Sequence, residues 1–218
     1  MPKPGPRRTF TEDQLLDAAM ALVRERGADG VSVRGIAGRL GVVPTAVYTY
    51  FPDRAAVLEA LVDRVLGAVR VPDTGSWRAR VTALACTLRG ELLAEPGIVA
   101  LMAGVPLRGP HALALGEALL DILADGGLDS SAAARASYAL QVYVLGAVAL
   151  DVAEEPGPGP LRPEAERVAD RRAALAGLPA EPFPRTAAAL DTIAGYVSEE
   201  QFRWGLDRFL DGLTAVSG

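Results

Sequence analysis

Only two residues, Val42 and Val43, separate Gly41 from Pro44, and that interval limits the fold more than any other part of the chain. Upstream, Ile36, Ala37 and Leu40 share one apolar helical face that Ser32 can cap and Gly41 can stop. Downstream, Pro44 has the fixed φ that suits the first turn of a helix, and it opens a segment over residues 45–50. Two short helices joined by so tight a glycine-led turn read as a helix-turn-helix. On spacing alone, an ordinary helical hairpin in a bundle is the alternative.

Helical signals surround this turn. Thr11 and Gln14 have the spacing of a capping box, with Phe10 and Leu15 placed as a hydrophobic staple. Leu15, Ala18, Ala19, Leu22 and Val23 form one apolar face, and Gly27 can supply a left-handed cap. Asp53 can cap a fourth helix that runs to about residue 69. After a loop at 71–76, helical patterns continue at 77–93, 98–103, 111–124, 130–152, 165–176 and 198–215, with a further candidate at 184–196. Residues 156–163 (PGPGPLRP) are too rich in Pro and Gly for regular structure and are expected to form a mobile loop. No strand-like alternation and no fixed-period repeat occurs, so the expected fold is all-α. It divides into a head over residues 1–54 and a helical domain over 55–218, with helix 53–69 linking the two.

Rare residues narrow the chemistry. Cys86 is the only cysteine and His111 the only histidine. That excludes an internal disulfide, a cysteine-based zinc cluster and any two-histidine metal site, and it suits a reducing cytoplasm. No metal or cofactor is expected. Residues 1–10 lack the apolar run of a secretory signal. The longest uncharged apolar stretch, 136–150, is shorter than a membrane span and is interrupted by Ser137 and Gln141, so a buried helix is expected and no membrane contact. No nucleophile motif or phosphate-binding glycine motif occurs. The pairs Glu154–Glu155 and Glu199–Glu200 point to different helical faces, so no catalytic role is expected.

The 218-residue chain carries a net charge of −5, which on average argues against coating nucleic acid. The average hides a division. Residues 1–54 hold 8 Lys+Arg and 6 Asp+Glu, whereas residues 55–218 hold 14 and 21. The head is mildly basic and the acidity belongs to the rest.

The block VSVRGIAGRLGVVPTAVYTYFPDRAAVLEAL, residues 31–61, resembles the DNA-binding region of the TetR family of transcriptional repressors. The short helix ending in R-L-G-V, the segment T-A-V-Y-T-Y-F and the D-R pair that opens a long helix carry the resemblance. The remainder is similar to the tetracycline-repressor branch in helix lengths and in G-S-W at residues 75–77. The resemblance implies a third helix lying in the major groove of double-stranded DNA, with Pro44, Thr45, Ala46, Tyr48, Thr49 and Tyr50 exposed there. By residue match it implies a base contact for Arg34 and backbone contacts for Tyr48, Tyr50 and Arg54. Arg7 and Arg8 could add an arm. Val43 stands where the family often has a Ser or Thr cap, and the reading face lacks Gln, Asn, Lys and Arg. Backbone contact, apolar contact with thymine and shape readout are therefore expected to dominate.

For the second domain the resemblance implies a small-molecule effector and a homodimer through helices at about 130–152 and 198–215, released from a near-palindromic operator by the effector. The positions matching the family's pocket are Arg70, Leu84, Leu88, Met102, Val105 and Pro106. This set suits a mostly apolar effector, with Arg70 as a polar anchor, and not a magnesium–drug complex. The alternative is a helical adaptor or small-molecule enzyme that keeps the fold without operator binding.

Overall fold

Thr11 and Gln14 close both hydrogen bonds of a capping box: Thr11 Oγ1 accepts from the Gln14 N–H at 3.3 Å, and Gln14 Oε1 accepts from the Thr11 N–H at 3.1 Å. They open helix α1 (Glu12–Arg26) in a computed structural model that describes residues 10–102, 104–155, 157 and 159–214. Arg7 and Arg8 lie outside the described residues. Gly27 ends α1 with φ +72° and ψ 177°. This is not the expected left-handed cap but an extended, positive-φ turn open to glycine, and it leads into a 3-10 turn at Ala28–Gly30.

Helix α2 (Val33–Leu40) is capped by Ser32, whose Oγ accepts from the Gly35 N–H at 3.0 Å. Gly41 adopts φ +68°, ψ 32°, and the Val42 N–H reaches back to the Ala37 carbonyl at 2.9 Å. This Schellman closure reverses the chain within the two-residue interval. Helix α3 (Pro44–Val47) is shorter than the expected 45–50. The N–H groups of Tyr50 and Phe51 both turn back to the Val47 carbonyl, because Pro52 disfavours a helical Phe51. Val47 and Phe51 are buried with Leu15, Leu22 and Ile36 beneath the motif.

Helix α4 (Arg54–Gly67), capped by Asp53, buries Val57, Leu58, Leu61, Val62, Val65 and Leu66. The body follows: α5 (Trp77–Ala94), α6 (Pro96–Met102), α7 (Pro110–Asp125), α8 (Ser130–Ala153), α9 (Glu164–Ala176), α10 (Pro184–Ala188), α11 (Leu190–Ala194), a 3-10 turn at Gly195–Val197, and α12 (Glu199–Thr214). Among the described residues there is no strand, and the fold is all-α as the patterns predict. The candidate helix at 184–196 is two helices broken at Ala189, which lets α11 pack on α9. Pro156 and Pro158 of the expected mobile loop lie outside the described residues. Its other residues have no regular structure, although Arg162 pairs with Glu155 and Asp170, each at 2.7 Å.

One hydrophobic core runs from the head into the body, and α4 is its spine. Polar struts reinforce the joint, with Arg64 of α4 on Asp17 of α1 at 2.7 Å and Arg24 of α1 on Glu95 at the α5–α6 junction. Helix α8 is 24 residues long and, with a mean hydropathy of 1.5, is by length and composition long and apolar enough to cross a membrane. Only 28% of its apolar stretch is buried in the single chain, so the expected fully buried helix is not found; one face packs on the core and the rest is half-buried or exposed. The helix packs on α5, α6 and α7, and its buried Asp151 is ion-paired to Arg89 at 2.8 Å.

Candidate nucleic-acid interface and effector cavity

The helix-turn-helix presents one polar-apolar surface. Arg34, Val43, Pro44, Thr45, Tyr48, Thr49 and Tyr50 are exposed, and Ala46 is half-buried. Pro44 occupies the first turn of α3 and Val43 offers no side-chain cap, as expected. The intramolecular hydrogen bonds sort this set. Arg34 and Tyr48, the latter 53% exposed, have no side-chain partner among the described residues. Thr49 donates its hydroxyl to the Ala46 carbonyl at 2.6 Å, which leaves its methyl outward-capable and its oxygen able only to accept. Tyr50 donates to the Phe10 carbonyl at 2.6 Å while its ring packs on Phe10. A phosphate oxygen only accepts, so Tyr50 reaches one only by giving up that bond.

Arg54 makes intramolecular contacts that the sequence pattern does not suggest. Its guanidinium donates to the carbonyls of Val31 and Ala28, each at 2.8 Å, and lies 3.9 Å from Asp29. It thereby holds the turn between α1 and α2 in place. The Ala28 carbonyl also accepts from the Val31 N–H at 3.2 Å, so Arg54 adds a second donor to a turn that is already closed. Arg39 is likewise paired, to Glu25 at 2.6 Å, in an exposed ion pair.

In the body, a cavity of about 110 Å³ opens between α4, α5, α7 and α8. Of the expected pocket residues, Leu84, Leu88 and Met102 line it. Arg70, Val105 and Pro106 do not. Helix α4 stops at Gly67 and tightens through Ala68 and Val69, leaving Arg70 exposed; Pro106 is exposed and Val105 packs on the core, while Leu107 takes the wall position. Sequence reasoning missed most of the α7 and α8 contribution: Ala112, Leu115, Gly116 and Leu119 on one side, Ser137, Leu140, Gln141, Val144 and Leu145 on the other. The signal was present in the two polar residues, four apart, inside an otherwise apolar helix.

Asp63 joins the cavity to the head. Helix α7 begins at Gly109–Pro110 with no side-chain cap of its own. Asp63, projecting from α4, fills that place. Its carboxylate accepts from the Ala112 N–H at 2.9 Å, the His111 N–H at 3.4 Å and His111 Nδ1 at 2.9 Å. A carboxylate only accepts, so Nδ1 carries the proton. A Cβ at Gly67 would stand 2.9 Å from the His111 ring, so the helices meet this closely only with glycine there. His111 thus serves the α4–α7 joint and does not line the cavity, whereas its neighbour Ala112 does.

A second polar cluster lies under α8. Asp151 meets Arg89 at 2.8 Å and Arg167 at 3.7 Å, all three being almost fully buried. Burial pushes the Asp151 carboxyl above its ordinary range, and the two arginines pull the other way. Cys86 on α5 is half-buried, and burial raises its thiol as well. Among the described residues no group of three or more His, Cys, Asp or Glu side chains converges as a metal site.

A helix-turn-helix braced on an all-helical body is the architecture of a helix-turn-helix regulator. Comparison with known proteins sharpens this class. Residues 15–61 match the family described as bacterial regulatory proteins, tetR family, and residues 71–217 match the tetracyclin repressor-like C-terminal domain. The chain belongs to the TetR family of transcriptional regulators. A helix-turn-helix transcriptional regulator from Saccharopolyspora erythraea is 35% identical over 65% of this chain and 61% of its own length. The transcriptional repressor DrrR1 of Streptomyces coeruleorubidus is 27% identical over 99% of this chain and 81% of its own. In fold, the Streptomyces coelicolor TetR family protein ActR, solved with actinorhodin, superposes with a TM-score of 0.81 over 97% of this chain and 98% of its own at 24% identity.

Proposed function

We propose that the chain is a homodimeric repressor that binds a near-palindromic operator and is released from it by a small, mostly apolar effector. The exposed face of the head carries this reading. Arg34 and Tyr48 stand free of intramolecular partners beside an apolar strip of Val43, Pro44, Ala46 and the Thr45 and Thr49 side chains. Arginine suits a bidentate contact to guanine, Tyr48 suits phosphate, and methyl-bearing side chains suit thymine. Within this reading Arg54 positions the head through its Nε–Nη2 edge, which holds the α1–α2 turn, and its Nη1 is left for a phosphate. Such a regulator works where the DNA is, in the cytoplasm of a bacterium.

A mildly basic head supplies little non-specific attraction, so useful affinity needs two heads about 34–36 Å apart. The unpartnered faces of α8 and α12 fit a dimer seam: Tyr138, Val142, Leu150 and Trp204 are each more than half exposed in the single chain. Release works through α4. An effector between α7 and α8 presses on the helix whose N-terminus Asp63 holds, and α4 carries that shift to α1 through Arg64 and Asp17. No catalytic step is assigned.

The test is a gel shift with DNA flanking the protein's own coding region, followed by effector candidates. Saturable binding that a cavity ligand weakens supports the reading. Operator affinity that no cavity ligand alters contradicts release, and no preference for that DNA over unrelated DNA contradicts the repressor.

A further inference from the structure

The wall of the effector cavity is apolar except along one edge. Ser137 and Gln141 stand one turn apart on α8 and so share a face. Neither side chain has a hydrogen-bond partner among the described residues. Every other lining residue is Leu, Ala, Val, Gly or Met, and none is charged. With Arg70 off the wall there is no cation to receive an acid, and no carboxylate to receive an amine. An ionised guest would be stripped of water and left without a counter-ion, a cost that one hydroxyl and one amide do not offset.

A wholly apolar guest fails in the opposite sense, because it shuts two polar side chains away from water with nothing to bond. A hydroxyl and a primary amide each donate and accept, so together they match a single hydroxyl or carbonyl on the guest. Size sets the rest. The closed part of the cavity measures about 110 Å³, less than the roughly 150 Å³ of an engineered protein cavity that admits benzene. A single ring is therefore the upper limit, and part of it must extend toward the open side.

Resting on the proposal that this cavity holds the effector, we propose that the effector is a neutral, single-ring molecule bearing one hydroxyl or carbonyl, with that polar edge read by Ser137 and Gln141. Gly116, on the opposite wall, leaves the room: a Cβ added there meets nothing within 4 Å, so a larger side chain would project into open space.

Four probes of one shape separate the chemistries: benzyl alcohol, toluene, benzoate and benzylammonium, titrated into the full chain at pH 7 by calorimetry and thermal melting. Benzyl alcohol should raise the melting temperature saturably and bind about tenfold more tightly than toluene, the worth of one to two hydrogen bonds. Benzoate and benzylammonium should not bind. In the Ser137→Ala/Gln141→Leu variant the preference for benzyl alcohol over toluene should collapse to about equal, while toluene binding persists and so reports an intact cavity. Gly116→Leu should abolish binding of both.

Benzoate or benzylammonium binding as tightly as benzyl alcohol overturns the assignment. So does an undiminished preference in the double variant, or no saturable binding of benzyl alcohol. If benzyl alcohol binds as described yet never weakens operator binding, the regulatory reading fails and the ligand class stands. If a charged compound occupies the cavity and releases the operator, the class fails and the regulatory reading stands.

Discussion

Asp63 is the side chain through which effector helix and reading head should communicate, and replacing it gives a prediction with a calculable size. Helix α7 leaves its first N–H groups without intrahelical partners, and Gly109 provides no cap. Asp63 supplies an acceptor for two of them and a negative charge at the positive end of the helix, with only 13% of its side chain exposed. An N-cap acceptor is worth about 1 kcal/mol, and a partly buried charge at a helix terminus adds about 1 kcal/mol more. Asp63→Ala should therefore destabilise the chain by about 2 kcal/mol. For a chain of this length that is a fall in melting temperature of about 4–8 °C, read by circular dichroism at 222 nm. Asp63→Asn keeps an acceptor and loses the charge, so it should fall about half as far. Both variants should also need more effector for the same operator release, since the α4–α7 joint is loosened. A melting temperature for Asp63→Ala within 1 °C of the parent, with unchanged effector response, would refute the capping argument and the coupling built on it.

Further outcomes follow from the other polar sites. Asp151→Ala leaves Arg167 buried without a carboxylate and Arg89 with only Glu164 at 3.7 Å, and should cost about 3–5 kcal/mol in urea unfolding. Because burial raises the Asp151 carboxyl, the folded chain holds that proton to higher pH than the unfolded chain. This group's contribution to stability should therefore decline as pH rises from the ordinary carboxylate range through the raised value, and Asp151→Asn should remove that slope. Arg54→Ala should lower stability by about 1–2 kcal/mol in the absence of DNA, and Arg54→Lys should not restore it, since an ammonium cannot span the Ala28 and Val31 carbonyls as the fork does. Cys86, with its thiol raised and half-buried, should react with iodoacetamide at pH 7 more slowly in the folded chain than in urea.

The head was legible in the sequence because its determinants are local. Thr11, Gln14, Ser32, Gly41, Pro44 and Asp53 each act within four residues of themselves, and every one takes the expected place at a helix end. The body's helices were legible from their helical patterns alone; the Ser76 and Asp129 caps that begin α5 and α8 are found only in the structure. What escaped was whatever depends on two elements meeting. Arg54 looked like a free cation beside a reading helix, but its partners are carbonyls 23 and 26 residues earlier. Asp63 had no local signal, because it caps a helix 48 residues downstream. The cavity was half legible. Leu84, Leu88 and Met102 came from correspondence with relatives, while Arg70 was displaced by where α4 ends. Ser137 and Gln141 were visible only as interruptions of an apolar run, and their meaning depended on knowing that α7 faces them with small residues.

The central claim is that the α2–α3 surface reads a particular DNA sequence, and Arg34 tests it most directly. Fluorescence anisotropy with the DNA flanking the chain's own coding region, compared with unrelated DNA of equal length, measures the discrimination. The account predicts saturable binding by two chains per site, and a loss in Arg34→Ala of about 1–3 kcal/mol of discrimination per half-site. Equal affinity for both DNAs, or discrimination unchanged by Arg34→Ala, would contradict it.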